Sequence, residues 1–227
     1  MVEVSTPRAL ETHEIPALIA QYRHAAECAQ RAGFDGVEVH SANCYLLEQF
    51  LRDSTNQRTD AYGGSIENRT RLTREVTEAV IAVWGSGRVG IRLSPATPNV
   101  GNTPLDSDPM ATYGHLIQQL NPLKLAYLHF VEGATSGARD LPAHIDLDAL
   151  RAQFDGAYIG NNGYDLDLAV KRRAQGLVDA VAFGRPFIGN PDLVERLQSG
   201  AELVQASHAS YYGRGAEGYT DWPALQA

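Results

Sequence analysis

At 227 residues the chain is long enough to bury a sizeable core, as one domain or two small ones, and its apolar content of 44% is ordinary. The net charge of −8 argues against a nucleic-acid or anionic-membrane partner, because phosphate recognition needs a basic face. No apolar run reaches the roughly 18 residues of a membrane span, "MVEVSTPRALETHE" lacks the apolar core of a signal peptide, and Cys28 and Cys44 make neither a disulfide framework nor a zinc pattern, so a cytoplasmic protein without a metal is expected.

Taken in chain order, apolar periodicity alternates between helix and strand. "EIPALIAQYRHAAECAQRAG" places Ile15, Leu18, Ile19, Tyr22, Ala25, Ala26 and Ala29 on one helical stripe, with Thr12 as its cap and Gly33 as its stop. Cys28 is read as a core residue of that helix. "FDGVEVH" is a strand. "SIENRTRLTREVTEAVIAVWG" is a helix with Ser65 as cap and Gly85 as stop, and Arg69, Arg71 and Arg74 are assigned to its solvated face. "RVGIRLS" is a strand, "DPMATYGHLIQQLN" a helix and "LAYLHFVE" a strand. A short helix near "DLDALRAQF" leads to the strand "GAYIG". "YDLDLAVKRRAQG", "VDAVAFG" and "PDLVERLQSG" are helix, strand and helix.

Five strands, each followed by a helix, imply parallel pairing with helices covering the sheet. A doubly wound open sheet and a piece of a (β/α)₈ barrel both fit. His40, Arg92, Glu132, Gly160 and Gly184 all lie at or near the carboxyl ends of strands. An open sheet binds mostly at one switch point, whereas a barrel uses every strand end, so the barrel is favoured. A full barrel has eight strands in about 250 residues. The expected fold is therefore α/β: a partial TIM barrel of five βα units, corresponding to strands 4–8.

The last two strands run into the Gly-rich turns "IGNNGYD" and "AFGRPFIGNPD". Such turns serve as tight corners. They also present backbone N–H groups to an anion, and Arg185 adds a cation whose fork of donors suits phosphate.

These segments carry a family resemblance. "GFDGVEVHSANCYLLEQFLRDSTNQRTDAYGGSIENRTR" resembles the Old Yellow Enzyme family of FMN-dependent ene-reductases, in particular its N-ethylmaleimide reductase-like members. "RVGIRLSP", "LAYLHFVEG", "YIGNNGYD", "AFGRPFIGNPDLVERL" and "YYGRGAEGYTDWP" continue the match in order, so the resemblance covers essentially the whole chain. It implies one FMN-oxidoreductase domain over residues 1–227, with FMN as cofactor and NADH or NADPH as reductant. It implies reduction of activated C=C bonds in α,β-unsaturated carbonyls, maleimides and nitro compounds. His40 and Asn43 resemble the donors to the substrate's carbonyl or nitro oxygen, where negative charge develops. Tyr45 resembles the proton donor to the α-carbon, a role open to a phenol, which is protonated at neutral pH. Arg92, a charge inside the apolar strand "VGIRLSP", is read from the residues as either a buried ion pair or a ligand contact. The resemblance sets it against the pyrimidine end of the flavin. Asn162, Gly163, Gly184 and Arg185 match phosphate-binding positions, and Tyr212 matches an aromatic residue closing over the substrate.

Two positions depart from the family pattern. Cys44 and Arg214 both stand where glycine is usual, and a cysteine at a positive φ is strained. The resemblance also implies that the first three barrel strands lie outside this sequence. Open sheet edges then call for a complementing N-terminal barrel segment or a homo-oligomer. The competing expectations are an inactive truncated fragment and a non-catalytic flavin- or phosphate-binding module.

Overall fold

Val37–Ser41 (β1), Val89–Leu93 (β2), Tyr127–Val131 (β3) and Ala157–Asn161 (β4) are strands because β-branched and aromatic residues alternate across a pleat. A computed structural model describes residues 5–98, 104–134, 139–212 and 215–225. The four strands pair in parallel and in chain order, with Val39↔Ile91↔Leu128↔Tyr158 and His40↔Arg92↔His129↔Ile159 as consecutive rungs. Period-two alternation therefore gives the sheet two unlike faces. Val39, Ile91, Leu93, Leu128, Phe130 and Tyr158 are all buried and make one apolar face. Glu38, His40, Arg92, Tyr127, His129 and Asn161 fall on the other.

Ile15–Arg31 (α1), Leu46–Leu51 (α2), Ile66–Trp84 (α3), Pro109–Leu120 (α4) and Leu147–Arg151 (α5) alternate with these strands. Helix α3 packs against β1 and β2 and against α1, α2 and α4. It starts where predicted, with Ser65 Oγ accepting the Asn68 N–H at 3.4 Å, and it ends at Gly85. At Gly90 the missing side chain matters, because a Cβ would sit 2.2 Å from the Tyr127 ring. Tyr127 thereby crosses β2 on the polar face and hydrogen-bonds Glu38 of β1.

The chain divides into two compact units, Met1–Gly163 and Tyr164–Ala227. The second holds Leu166–Ala174 (α6), Ala180–Ala182 (β5), Arg185–Gly189 (α7) and Leu193–Ser199 (α8). Asp165 caps α6 by accepting the Leu168 N–H. Arg196 is buried there, and binds Asp192 at 2.7 Å and the Glu202 and Pro223 carbonyls.

Three expectations are corrected. Thr12 does not cap the first helix; Glu11 and Glu14 form a capping box, and the Thr12 hydroxyl binds Asp60. Cys28 is exposed, because it projects from the outer side of α1 between His24 and Arg31. Arg69 is only 5% exposed: its guanidinium bonds Asp106 at 2.6 Å and the Leu51 carbonyl. The helical spacing grouped it with Arg71 and Arg74, but an acceptor from a distant loop draws it inward.

Candidate active site

The carboxyl end of β1 is followed by a turn that periodicity does not announce. Asn43 and Cys44 both adopt left-handed backbone, with φ of 56° and 58°. The strain expected for a cysteine at that position is therefore present. Only at Leu46 does helix α2 begin, with Tyr45 at its N-cap. Left-handed backbone at Asn43 and Cys44 thus joins β1 to α2. The reversal brings the Tyr45 ring to the His40 ring, with centroids 5.5 Å apart and planes tilted by 50°. Tyr45 is 62% exposed, which sets it apart from a packing residue.

Two left-handed residues persist only where the surroundings over-determine them. The Asn43 N–H donates to Ser94 Oγ at 2.8 Å, the Cys44 N–H donates to the Glu48 carboxylate, and Gln49 Nε2 donates to the Cys44 carbonyl at 2.6 Å.

His40 is half-buried, and its pKa is lowered from the usual histidine value. Burial is the largest cause, and the nearby Arg92 and His129 add to it, against opposing pulls from Glu38 and Glu48. A neutral imidazole carries one N–H and can donate it to an oxygen. His40 should therefore titrate below about 6.5, and Arg92→Gln should move its midpoint upward, both read by NMR titration of the ring. An unchanged midpoint in the variant would refute Arg92 as a cause. The sign for stability follows: the contribution of this neutral histidine is complete above about pH 6.5 and is lost as pH falls through the lowered folded value.

Arg92 stands on the rung beside His40 and donates to Asn161 Oδ1 at 2.8 Å. Arg92 makes no ion pair among the described residues, although Glu38 lies close enough to act on it electrostatically. Its Nε is buried with no hydrogen-bond partner among the described residues, and so is His129 Nε2. Arg52 and Arg69 leave Nε unmatched in the same way within the core, so the feature does not by itself call for a ligand; at Arg92 it leaves one donor open to an acceptor from outside the chain. His129 Nδ1 lies 2.9 Å from Glu38. Burial alone would raise the Glu38 pKa, but His129, Tyr127 and Arg92 outweigh it and hold the carboxyl below its usual range. Tyr127 is pushed up to about 12 by burial and by Glu38.

Asn162 and Gly163 are both left-handed, with φ of 92° and 63°. Arg139 lies over this turn, donating to the Asn162 carbonyl and bonding Glu132 at 2.6 Å, while Tyr158 OH donates to Glu132 at 2.7 Å. In the second unit Gly184 precedes α7 and Arg185 opens it, and Tyr212 is 82% exposed. Arg214 lies outside the described residues. Glu48, Ser94 and Arg139 escaped the sequence reading. A glutamate in an apolar helical run was the one available signal.

A flavin fits this donor set. Its pyrimidine ring offers acceptors to an orphaned guanidinium Nε, and the polar sheet face holds His40 and Arg92 on one rung.

The parallel sheet with polar groups at its strand ends defines an α/β-barrel class of protein. The structure matches that of morphinone reductase with TM-score 0.91 and 48% identity, over 97% of this chain and 59% of that one. Morphinone reductase in complex with tetrahydroNAD matches with TM-score 0.89. The old yellow enzyme homologue from Zymomonas mobilis matches with TM-score 0.90 and 42% identity, over 96% and 61% of the two chains. The five βα units are accordingly part of a TIM barrel, as expected. Among curated relatives, 12-oxophytodienoate reductase 1 of Oryza sativa subsp. japonica is 46% identical over 227 residues, covering 98% of this chain and 59% of that protein. Putative 12-oxophytodienoate reductase 10 of the same plant is 42% identical, with 73% of it covered. Residues 1–203 match the NADH:flavin oxidoreductase / NADH oxidase family, and the chain belongs to it. It spans about 59% of the length of several of these relatives. No helix among the described residues is long and apolar enough to cross a membrane.

Proposed function

We propose that the chain carries the substrate-activating half of an FMN-dependent ene-reductase that uses NADH or NADPH. The observation behind this reading is the conjunction of His40, Tyr45 and Arg92 at the ends of β1 and β2, with Arg92 Nε unmatched. When bound, FMN supplies a hydride from N5 to the β-carbon of an activated alkene. The substrate class is α,β-unsaturated carbonyls, maleimides and nitro compounds. His40 and Asn43 hold the carbonyl or nitro oxygen and stabilise the charge that develops there. Tyr45 protonates the α-carbon as general acid. Arg92 would hold the pyrimidine end of a bound flavin, where its fixed charge would favour the anionic reduced ring. Asn162 and Gly163 in the first unit, and Gly184 and Arg185 in the second, are phosphate-binding residues. Tyr212 contacts substrate.

The chain acts as part of a single barrel domain, as strands 4–8, in the cytosol. Activity requires three further N-terminal βα units, in the same polypeptide or from a complementing partner. Among the described residues β1 pairs only with β2, which leaves an edge for such a segment.

The test is reconstitution. The purified chain alone should retain little FMN after desalting, because ring contacts and desolvation contribute much of a cofactor's affinity. Mixing it with the N-terminal three-strand segment of a full-length relative should recruit FMN and restore oxidation of NADPH by 2-cyclohexenone or N-ethylmaleimide. In that mixture Arg185→Ala should weaken FMN by about 1.5–3 kcal/mol, the cost of one charge-assisted contact, measured by flavin fluorescence. A yellow, active chain without any added segment overturns the completeness argument. Undiminished FMN affinity in Arg185→Ala overturns the phosphate assignment.

A further inference from the structure

Glu48 has no part in the chemistry assigned above, yet it is fully buried beneath the residues that do. Its Oε1 accepts the hydroxyls of Ser94 and Tyr113, each at 2.6 Å. Its Oε2 accepts the Cys44 N–H, and the Arg52 guanidinium lies 3.1 Å away. Arg52 also donates to the Ser94 and Thr97 carbonyls, so the cation is held to the chain that follows β2. Burial, and then the Glu48 carboxylate, raise the Tyr113 pKa well above the usual phenol value, and this keeps Tyr113 a donor.

A serine hydroxyl has one proton and two lone pairs. Ser94 donates its proton to Glu48 and accepts the Asn43 N–H at 2.8 Å. One carboxylate therefore holds the Cys44 amide directly and the Asn43 amide through Ser94. Both residues have left-handed φ. Tyr45 comes next, and its ring direction depends on how that turn closes.

We propose that Glu48 is the positioning residue of this site: through Cys44 and Ser94 it clamps the left-handed Asn43–Cys44 turn and so sets where Asn43 and Tyr45 stand against His40. The proposal rests on reading those three as the reacting groups. A glycine at position 44 occupies left-handed backbone without strain and has less need of the clamp. Cysteine at 44 makes this chain dependent on Glu48.

The test uses the chain without flavin, so its outcome is independent of reconstitution. The Tyr45 ring shifts the His40 ring protons through its ring current, and Tyr45→Leu gives the size of that shift. Ser94→Ala and Glu48→Gln should each abolish at least half of it, while Ser94→Thr, which keeps the hydroxyl, retains it. Cys44→Gly added to Glu48→Gln should recover most of the loss. Amide resonances of α1 and α3 report that each variant is folded; if Glu48→Gln does not fold, the Ser94 pair decides. Folded variants with the His40 shift unchanged overturn the proposal, even if they are less stable, because Glu48 is then a packing residue only. Loss of the shift in Ser94→Ala with retention in Ser94→Thr supports it, whatever the reconstituted mixture does with alkenes.

Discussion

Tyr45→Phe, in the chain reconstituted with the N-terminal segment, will slow alkene reduction by about 10²–10⁴-fold, the span that a positioned general acid contributes. Flavin reduction by NAD(P)H will be unaffected, because that half-reaction uses no proton from the phenol. The substitution removes one hydroxyl and keeps the ring, so the 5.5 Å approach to His40 is preserved. Its exposure means that no core contact is lost. The effect should be greatest for substrates whose α-carbon is hardest to protonate from solvent. Stopped-flow traces of the two half-reactions separate the cases. A variant slowed only in flavin reduction would remove Tyr45 from the role of acid and return it to ring packing.

The second large effect is on stability. Arg69→Ala should destabilise the chain by about 3–5 kcal/mol, the range for breaking a buried ion pair from one side. Arg69 reaches from α3 to Asp106 at 2.6 Å and to the Thr112 hydroxyl at 3.3 Å. Asp106 also accepts the Asp53 N–H at 2.9 Å, the Asp108 N–H at 3.0 Å and the Thr112 hydroxyl at 2.8 Å. One carboxylate thus ties the loop after α2 to the start of α4, and removing Arg69 leaves it buried without its cation. Arg71, whose bond to the Ala61 carbonyl is exposed, should cost within about 0.5 kcal/mol on truncation. Urea unfolding of the two variants measures the contrast. Equal, small losses would show Arg69 solvated after all. A double variant with apolar residues at 69 and 106 should recover much of the loss, because no lone charge is then buried.

The alternation of elements was legible because it is local. Apolar periods of two and 3.6 mark β1 to β5 and the long helices, and Ser65 and Gly85 mark the ends of α3. The short helix α2 was not read as an element, since six residues span too few turns for a period to declare itself. His40, Asn43, Tyr45 and Arg92 were legible as polar residues at the ends of apolar strands, where a parallel sheet presents its chemistry.

Long-range partners were not legible. Spacing along α3 treats Arg69, Arg71 and Arg74 alike, and only the arrival of Asp106, 37 positions later, separates one from the others. Glu48 reads as an acidic residue in a helix until Ser94 and Tyr113 close around it from two other elements. Cys44 reads as a departure from glycine, but its left-handed backbone is held by groups that the local sequence does not name. The sequence alone determined which residues could do chemistry and on which strands they stand, because strand register and helix period act over neighbouring positions. Tertiary structure decided how the Asn43–Cys44 turn closes, which charges are buried and which ring faces His40, because desolvation and hydrogen-bond geometry depend on groups brought together from distant parts of the chain.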